Sequence, residues 1–585
     1  MNYNLNNHKQ ENRKKHLGFN TVFNLVVHTV HQKKKLVIAF ITMIITALLN
    51  LAGPILIGHT VDEFISTGNY RGLIIFSLIL LVTYIIALFG GYIQTKLMGN
   101  IGQQMLFTLR NMVVEKVQEL PYDFFNQNKA GDLISRINND TDKINQFFSH
   151  SLMQYLRVIL IIIGSGIFLL TIHFKLGLAV LAPSLIIFIF TKAVSPWVKR
   201  KNVENMKSTG NLSAEIQESL NNFKIIKAFN RSDYFRERFQ VINKENYIKS
   251  LKAGIANNIF LPVYTFFSNI GLLIVLVAGI YFISERQFTV GLLISFIAYA
   301  HSFYNPFRQL ASLWAGFQSA LASWERIKNI LGTENNLKQI PVTGIDETAA
   351  LVSFREVSFE YKSGVEVLHQ ITFDLEKGKT YAFVGPTGGG KTTIASLISR
   401  LYDTTKGMVL LEGKDIRSFS HEERVKKISF ILQDPFLFSG TIRENILYGN
   451  YNNVSNKQVE TILKNAELES LLLRFEGGLD TKIDILGDGI SLGQKQLIAF
   501  MRAVLRKPEL LILDEATANI DTITESLLEE ILKKLPESTT KVIIAHRLNT
   551  IANADVIYFV DNGKITHAGS INDAVKMLME NKITS

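Results

Sequence analysis

The chain has 585 residues, of which 47% are hydrophobic and 19% are charged, and its formal net charge is +11 at pH 7. This length predicts two or more domains. The sequence contains no cysteine, which excludes disulfides, thiolate metal sites and cysteine nucleophiles. The basic residues flank long apolar runs, so the charge favours a membrane protein over a nucleic-acid-binding one.

The first 35 residues are polar and basic and have no short apolar core before a small-residue cleavage site. We therefore expect residues 1–35 to form an N-terminal arm and not a cleavable signal.

Six apolar stretches that are long enough to cross a bilayer come next. They lie near residues 36–58, 73–95, 152–172, 176–196, 257–283 and 288–312. The short connections between them carry few lysines or arginines, whereas the N-terminal arm and segments 96–151 and 197–256 carry many. By the positive-inside rule, both termini are expected in the cytosol of a multi-pass protein.

The two long cytosolic segments have a helical pattern, because glycines are few and apolar residues are spaced. We expect the membrane helices to continue beyond the bilayer, since a structureless connection of that length is uncommon. In the first segment, Pro121 and Gly131 bracket a break that could form a short transverse helix. Residues 213–231 carry a similar apolar periodicity. The alternative for both segments is an ordinary solvated helix hairpin.

Some polar or amphipathic residues inside the spans are candidates for lining a cavity, although most such residues pair with neighbouring helices. They are Asn50, Gln94, Tyr264, Asn269, Tyr299, His301 and Tyr304.

A change of composition divides the chain after these spans. Residues 36–332 are predicted to form the membrane domain, and residues 333–349 are predicted to form a polar linker. In residues 350–585, strand-like stretches alternate with helical ones. This alternation is typical of an α/β domain with a parallel sheet.

A phosphate-binding loop is predicted in that domain. The apolar strand Tyr381–Val384 feeds a glycine-rich turn that matches G-x-x-x-x-G-K-[ST], and a helix begins at Lys391. Backbone N–H groups of such a loop surround a polyphosphate, and the lysine reaches its terminal phosphates. The Thr392 hydroxyl is placed to ligate Mg²⁺. The residues assigned to the nucleotide here are Gly385, Pro386, Thr387, Gly388, Gly389, Gly390, Lys391, Thr392 and Thr393.

Further polar residues follow strand-like runs of the same domain. The run LLIL ends in Asp514 and Glu515, so it delivers two carboxylates to the edge that holds the phosphate loop. Asp514 can hold Mg²⁺ through its water shell, and Glu515 can polarise the attacking water. Gln433 follows the strand ISFIL, and His546 follows the strand VIIA. Taken alone, such a glutamine or histidine is usually structural.

The order and spacing of these motifs resemble the nucleotide-binding domain of ABC transporters, and the match extends throughout residues 350–585. The first half resembles the six-helix membrane domain of ABC exporters, in LPYDFFNQNKAGDLISRINND and in QSALASWERI. The resemblance implies an all-α six-helix transmembrane domain plus a cytosolic α/β P-loop nucleotide-binding domain. It also implies a half-transporter that works as a dimer, with ATP held between two head-to-tail nucleotide-binding domains.

The resemblance assigns roles to individual residues. Tyr361 matches the aromatic residue that stacks on adenine, and Gln433 matches the residue that contacts Mg²⁺ and the water. Asp521 matches the D-loop aspartate, and His546 matches the histidine that contacts the γ-phosphate. Short helices near residues 124–129 and 213–219 are expected to be the coupling helices that carry motion to the membrane domain.

One motif departs from the family pattern. The signature, usually LSGGQ, reads Ile490, Ser491, Leu492, Gly493 and Gln494. It opens a helix that presents N–H groups and a hydroxyl to the γ-phosphate bound by the opposite subunit, and Leu492 adds apolar bulk there. Leu497 also stands where the family commonly has a basic residue. Because Lys391, Asp514, Glu515 and His546 are intact, we favour a heterodimer with one competent ATP site over a homodimer that tolerates Leu492.

The expected function is therefore ATP-driven export of lipophilic or amphipathic small molecules across the plasma membrane, with ATP and Mg²⁺ as cofactors. The partners would be a second half-transporter, the bilayer and the substrate, without nucleic acid. Two alternatives stay open. One is a lipid flippase, and the other is a membrane-anchored ATPase that gates a partner channel.

Overall fold

The computed structural model describes residues 3, 5, 33–342, 350–362, 364–433, 435–449, 456–465, 475, 477–484, 490–514, 522–533, 535–544, 554–570 and 572–577. By its internal contacts the chain divides into two compact units. The first, here called the helical unit, consists of His8–Gln118 and Gly131–Gly332. The second, here called the sheet unit, consists of Met1–Asn7, Glu119–Ala130 and Thr333–Ser585.

The helices before residue 333 follow the apolar runs of the sequence and extend well past them. They are α1 (Lys33–Thr60), α2 (Tyr70–Glu119), α3 (Tyr122–Gln127), α4 (Ala130–Ser135), α5 (Thr141–Gln146), α6 (Leu152–Ile172), α7 (Phe174–Asn221), α8 (Phe223–Ala228), α9 (Ser232–Asn258), α10 (Phe260–Ser284) and α11 (Val290–Leu331). Single π-helical turns, Arg136–Asp140 and Phe147–Ser151, join α4 to α5 and α5 to α6. The two long segments predicted to be helical are therefore helical in the structure.

Five helical stretches of the described residues are long and apolar enough to cross a membrane, judged by length and composition alone. They are Lys33–Ile65, Tyr70–Glu119, Ala130–Ile172, Phe174–Asn221 and Ser232–Ser284. The sixth predicted span, 288–312, falls in α11 except for its first two residues. Polar residues such as His301 and Asn305 interrupt its apolar run, so α11 is not among these five.

Hydroxyl groups of the helical unit bond to neighbouring helices. Tyr299 of α11 donates to the carbonyl of Leu51 at 2.5 Å, and Tyr304 donates to the carbonyl of Val180. The Tyr264 hydroxyl lies 2.8 Å from Thr191 Oγ1. These three tyrosines therefore pair with neighbouring helices, which is the alternative to lining a cavity.

A break in the helical structure precedes each of the two short helices α3 and α8. Pro121 precedes α3 with extended backbone, as expected for a residue that cannot continue the preceding helix. The second coupling helix was predicted near 213–219, and this is wrong, because those residues lie inside α7. The short helix is α8, which follows the break at Asn222. Neither proline nor glycine marks that break in the sequence, and Asn221 and Asn222 are a weaker stop signal.

The sheet unit contains the α/β architecture that the strand and helix alternation predicts. Its strands are β1 (Ala350–Lys362), β2 (Val365–Glu376), β3 (Thr380–Val384), β4 (Lys406–Leu411), β5 (Lys414–Asp415), β6 (Ile428–Ile431), β7 (Gly440–Thr441), β8 (Lys482–Ile483), β9 (Leu510–Asp514), β10 (Thr540–Ile544), β11 (Val556–Asp561) and β12 (Lys564–His567). Its helices beyond α3 are α12 (Lys391–Ile398), α13 (His421–Lys427), α14 (Ile442–Leu447), α15 (Asn456–Asn465), α16 (Leu492–Leu505) and α17 (Thr522–Lys533).

Two larger sheets organise this unit. One has the order β12-β11-β3-β10-β9-β6, in which every neighbouring pair is parallel except β12 with β11. The other is antiparallel with the order β2-β1-β4-β5. Strands β3, β9 and β10 are almost entirely buried, as is expected of strands that are covered on both faces. Their carboxyl ends form one edge, where the predicted site residues follow.

Candidate functional site

The glycine-rich turn after β3 has a backbone that other residues adopt with difficulty. Gly385, Gly388 and Gly390 have φ angles of +145°, +85° and +113°. A Cβ on Gly385 would lie 2.0 Å from the carbonyl oxygen of Val560, and a Cβ on Gly389 would lie 2.6 Å from the same atom. The turn therefore packs against β11 with no space for side chains at these points.

Lys391 opens α12 directly after this turn. Its side chain is 5% exposed, and its Nζ donates to the carbonyls of Gly385 at 2.8 Å and Pro386 at 2.9 Å. The ammonium group is thus held over the turn by the carbonyl groups of the loop itself. A phosphate bound to the turn would meet this positive charge together with the N-terminal end of α12.

The threonine after this lysine contacts the end of a neighbouring strand. Thr392 Oγ1 lies 3.3 Å from Asp514 Oδ1, and Asp514 is the last residue of β9. The contact follows from the parallel register, because Ile544 of β10 is paired with Phe383 on one side and with Asp514 on the other. Hydroxyl and carboxylate oxygens at this distance fit the hard-oxygen preference of Mg²⁺.

Tyr361 stands at the end of β1, beside the start of α12. Its hydroxyl lies 3.0 Å from the hydroxyl of Thr393, and its ring meets Phe359 edge-to-face with centroids 4.8 Å apart. Burial raises the pKa of the Tyr361 hydroxyl above its usual value, so this group stays neutral at physiological pH. The residue is still 41% exposed, which leaves part of the ring open to a planar ligand.

Gln433 follows β6, and β6 pairs in parallel with β9, so Gln433 and Asp514 follow neighbouring strands. The Gln433 side chain is exposed. Glu515, Asp521 and His546 lie outside the described residues, and their roles stay predictions.

The segment that the resemblance assigns to the signature, residues 490–494, leads into the first turn of α16. Ser491 is the N-cap; its hydroxyl accepts from the Gln494 N–H at 3.2 Å, and the Gln494 side chain accepts from the Ser491 N–H at 2.9 Å. Ser491 and Gln494 thereby complete a capping box. Leu492 is 38% exposed in this turn, and Gly493 is buried. Leu497 is 1% exposed within the apolar core, so a leucine is well accommodated where a basic residue was expected.

Two residues near this site were not identified from the sequence. Tyr402 lies four residues after α12, and its ring meets that of Tyr361 at 5.2 Å. Asn126 of α3 donates to the Tyr402 hydroxyl at 2.7 Å. These partners are far apart in the chain, so no local pattern could connect them. The sequence feature that could have indicated Tyr402 is its position as an aromatic residue just after the phosphate-loop helix.

Comparisons with known protein families match both halves of the chain. Residues 36–307 match the family described as ABC transporter transmembrane region, and residues 368–518 match the family described as ABC transporter. The two matches therefore lie on either side of the predicted linker.

Individual relatives cover most of the chain. A Bacillus subtilis protein named as the uncharacterized ABC transporter ATP-binding protein YfiC is 34% identical over 94% of this chain and 91% of that protein. A fatty acid ABC transporter ATP-binding/permease protein of Mycobacterium bovis is 34% identical over 84% of this chain and 77% of that protein. A multidrug resistance ABC transporter ATP-binding and permease protein of Lactococcus lactis is 30% identical over 84% of each chain.

The family matches, the relatives and the fold all indicate the same architecture. A membrane domain with several apolar helices is fused to an ATP-binding α/β domain on one chain, which describes a multi-pass protein of the plasma membrane that hydrolyses ATP. The chain belongs to the ABC transporters, as an exporter with a fused membrane domain and nucleotide-binding domain.

Proposed function

We propose that this chain is one half of a heterodimeric exporter of lipophilic or amphipathic small molecules, in which one of the two ATP sites is competent. The observation that carries the proposal is the contrast between two parts of the chain. The phosphate loop holds Lys391 over its own carbonyl groups and brings Thr392 to Asp514, whereas the signature turn presents the exposed Leu492 where the family pattern has glycine.

The competent site would use this chain's own loop, with ATP as its substrate. Residues Gly385 to Thr393 would surround the phosphates, and Lys391 would exchange its two carbonyl partners for phosphate oxygens. Thr392, Asp514 and Gln433 would hold Mg²⁺, which neutralises charge on the phosphates when bound. Glu515 would polarise the attacking water, and His546 would contact the γ-phosphate.

The second ATP site would contain this chain's signature turn and the partner's phosphate loop. There the exposed side chain of Leu492 would stand between the start of α16 and the γ-phosphate, so the close backbone approach that glycine permits would be lost. The D-loop residue Asp521 would lie between the two sites. We therefore assign slow or absent hydrolysis to this second site.

An exposed apolar surface on α8 supports the presence of a partner chain. Phe223 and Ile225 are 55% and 58% exposed, and Leu220 just before this helix is 69% exposed. Exposed apolar clusters of this kind in a cytosolic segment mark interaction sites. We propose that the second half-transporter covers them.

Mass analysis of the complex isolated from native membranes through a tag on this chain tests the heterodimer. A second polypeptide of similar size in equal amount supports it. A complex that contains only this chain, in pairs that hydrolyse ATP, contradicts it.

Two variants of the isolated complex test whether only one of its two ATP sites hydrolyses ATP. Glu515→Gln should retain ATP binding and lose most hydrolysis, and turnover near the wild-type rate would contradict its role as the base. Leu492→Gly should change hydrolysis little if this turn faces the non-catalytic site. A large increase would show instead that Leu492 limits a catalytic site.

A second candidate substrate class is fatty acids or lipids, which the name of the Mycobacterium bovis relative favours. ATPase activity of the complex in vesicles separates the two classes. Stimulation by a long-chain fatty acid but not by ethidium, a lipophilic cation, would favour lipid transport, and the reverse would favour the multidrug type. Transport that persists in Glu515→Gln would contradict both classes of ATP-driven pump.

A further inference from the structure

A cavity of about 340 Å³ lies within the sheet unit. The segments that enclose it are far apart in the chain and include residue 3, the start of α3, the polar linker, the end of β1 and the residues after α12. Small-molecule sites usually have volumes of about 300–1,000 Å³. The cavity is therefore large enough for a ligand, and it suits a compact one.

Four aromatic side chains line this cavity, and they are Tyr3, Phe359, Tyr361 and Tyr402. The ring of Tyr402 lies 5.5 Å from that of Phe359 and 5.2 Å from that of Tyr361, with interplanar angles of 61° and 85°. Burial raises the pKa of Tyr402 to about 12, so its hydroxyl is neutral at physiological pH. Aromatic ring faces attract cations, and groups of such rings bind quaternary ammonium ligands. The aromatic lining therefore favours a cationic ligand.

The carboxylates that line the same cavity are Asp123, Glu360 and Asp403, and its described lining includes no lysine, arginine or histidine. Asp403 is already paired with Arg400, at 2.8 Å. The other two are half-buried and accept hydrogen bonds from neutral groups. Asp123 accepts from the Gln127 side-chain amide and Glu360 from a backbone N–H, both at 2.8 Å. Two negative charges thus border the cavity, and the described part of the chain forms no ion pair with either of them.

Tyr3 gives a second, independent indication of a ligand. It borders the cavity and is only 6% exposed, and the hydrogen of its hydroxyl has no acceptor among the described residues. The backbone N–H of Asn336 acts on this hydroxyl as a donor, so it cannot accept that hydrogen. Burial raises the pKa of the Tyr3 hydroxyl above its usual value, which keeps the hydrogen in place. Because native proteins satisfy nearly all of their buried polar groups, an oxygen atom of a ligand is a fitting acceptor.

This cavity differs from the site assigned to ATP. Of its lining residues that the structure describes, none belongs to the phosphate loop, residues 385–393. The two sites share Tyr361, whose hydroxyl lies 3.0 Å from the hydroxyl of Thr393. The charges of Asp123 and Glu360 would repel the triphosphate of ATP, whereas they would attract a cation. The charge of the lining therefore disfavours a nucleotide as the occupant.

We propose that this cavity is a binding site for a small organic cation that carries an oxygen atom close to its charged group. The aromatic rings and the carboxylates of Asp123 and Glu360 hold the charged group, and the Tyr3 hydroxyl donates to the oxygen. The site is additional to the ATP sites and to the transported substrate, so it does not depend on the proposed function. A ligand that contacts Tyr3 and β1 together also stabilises the N-terminal residues against the rest of the sheet unit.

Calorimetric titration of the full transporter in lipid nanodiscs with choline, a quaternary ammonium ion with one hydroxyl, tests this proposal. Choline should bind saturably, both alone and with a saturating amount of AMP-PNP, a non-hydrolysable ATP analogue. The alcohol 3,3-dimethyl-1-butanol has the shape of choline without its charge and should bind at least about tenfold more weakly. Bound choline should also slow the exchange of the Leu5 amide with solvent.

Three results of this titration would overturn the proposal. The first is the absence of saturable choline binding, and the second is equal binding of the uncharged alcohol. The third is loss of choline binding in the presence of AMP-PNP, which would assign the cavity to the nucleotide.

Variants of one carboxylate locate the bound choline. Asp123→Asn keeps the size of the side chain but removes its charge, so choline should bind at least about tenfold more weakly. Asp123→Glu keeps the charge and should retain most of the affinity. Glu334→Gln, which removes an exposed carboxylate outside the lining, is the matched control and should bind like the wild type. Equal losses in Asp123→Asn and Glu334→Gln would show a general attraction of charge and would contradict a site in this cavity.

Tyr3→Phe tests the contact with the oxygen atom of the ligand. This variant should weaken the binding of choline and leave that of tetramethylammonium, which has no oxygen, unchanged. Because the hydroxyl that it removes lacks an acceptor, the variant should fold like the wild type, and the exchange of the Leu5 amide without ligand checks this. An equal loss of affinity for the two cations would overturn the assignment of the Tyr3 hydroxyl to the ligand oxygen.

Discussion

Thr392 and Asp514 are 122 positions apart in the chain, yet the Thr392 hydroxyl oxygen lies 3.3 Å from an Asp514 carboxylate oxygen. The pair joins the first turn of α12 to the last residue of β9. The two oxygens come together because β3, β10 and β9 are parallel neighbours in one sheet. A hydroxyl and a carboxylate that meet at the phosphate loop offer the hard oxygen atoms that Mg²⁺ prefers as ligands.

This pair gives the first prediction. Thr392→Val keeps the side-chain shape but removes the hydroxyl, so Mg²⁺-dependent ATP hydrolysis should fall at least about tenfold, as is usual when metal ligation is disturbed. Thr392→Ser retains the hydroxyl and should stay close to the wild-type rate. ATPase assays across a range of Mg²⁺ concentrations make the comparison. Equal activity of the valine and serine variants would exclude a metal-binding role for this hydroxyl.

Two glycines of the phosphate loop make a matched comparison. Gly388→Ala places a methyl group in open space and strains only the backbone, which costs about 1–2 kcal/mol in the free energy of unfolding. Gly385→Ala adds a clash with the Val560 carbonyl oxygen and should destabilise the domain by a larger amount. Thermal unfolding and ATP affinity measure both effects. The prediction is wrong if the two alanine variants lose equal stability.

Asp62, in the helical unit, gives a third prediction. Its carboxylate accepts from the Thr289 hydroxyl at 2.5 Å and from the Gly291 N–H at 2.7 Å, so it joins the turn after α1 to the start of α11. Hydrogen bonds to a charged group contribute about 1.5–3 kcal/mol. Asp62→Ala should lower the thermal midpoint by several degrees. Glu63→Ala, which removes the neighbouring exposed carboxylate, should not, and an equal loss in both variants would argue against a specific contact.

Asn128 gives a fourth prediction. Its side chain bonds to Tyr3, Leu5 and Phe124 while it is only 6% exposed. Asn128→Ala would leave the buried Leu5 N–H without its acceptor, at a cost of about 1–3 kcal/mol. The Leu5 amide should then exchange with solvent much faster, and the amides of α12 should not change. Unchanged exchange at Leu5 would show that Asn128 does not hold this segment.

The sequence predicted the elements whose signals are local. The end of the strand before the phosphate loop, the helix start at Lys391 and the break at Pro121 all depend on glycine or proline, whose backbone preferences are strong. The second short helix was misplaced because the break at Asn222 has no such residue. The contact of Tyr402 with Asn126 could not be predicted, since it joins residues 276 positions apart. Contacts of this kind depend on the tertiary fold alone.

The grouping of Glu119–Ala130 with the sheet unit affects how hybrid transporters should be built. An exchange of domains between relatives that cuts only near residue 332 would leave α3 behind and replace Tyr402, its hydrogen-bond partner. A hybrid that transfers residues 119–130 together with the C-terminal half keeps both sides of that contact from one parent. The natural module for recombination is therefore discontinuous in the chain.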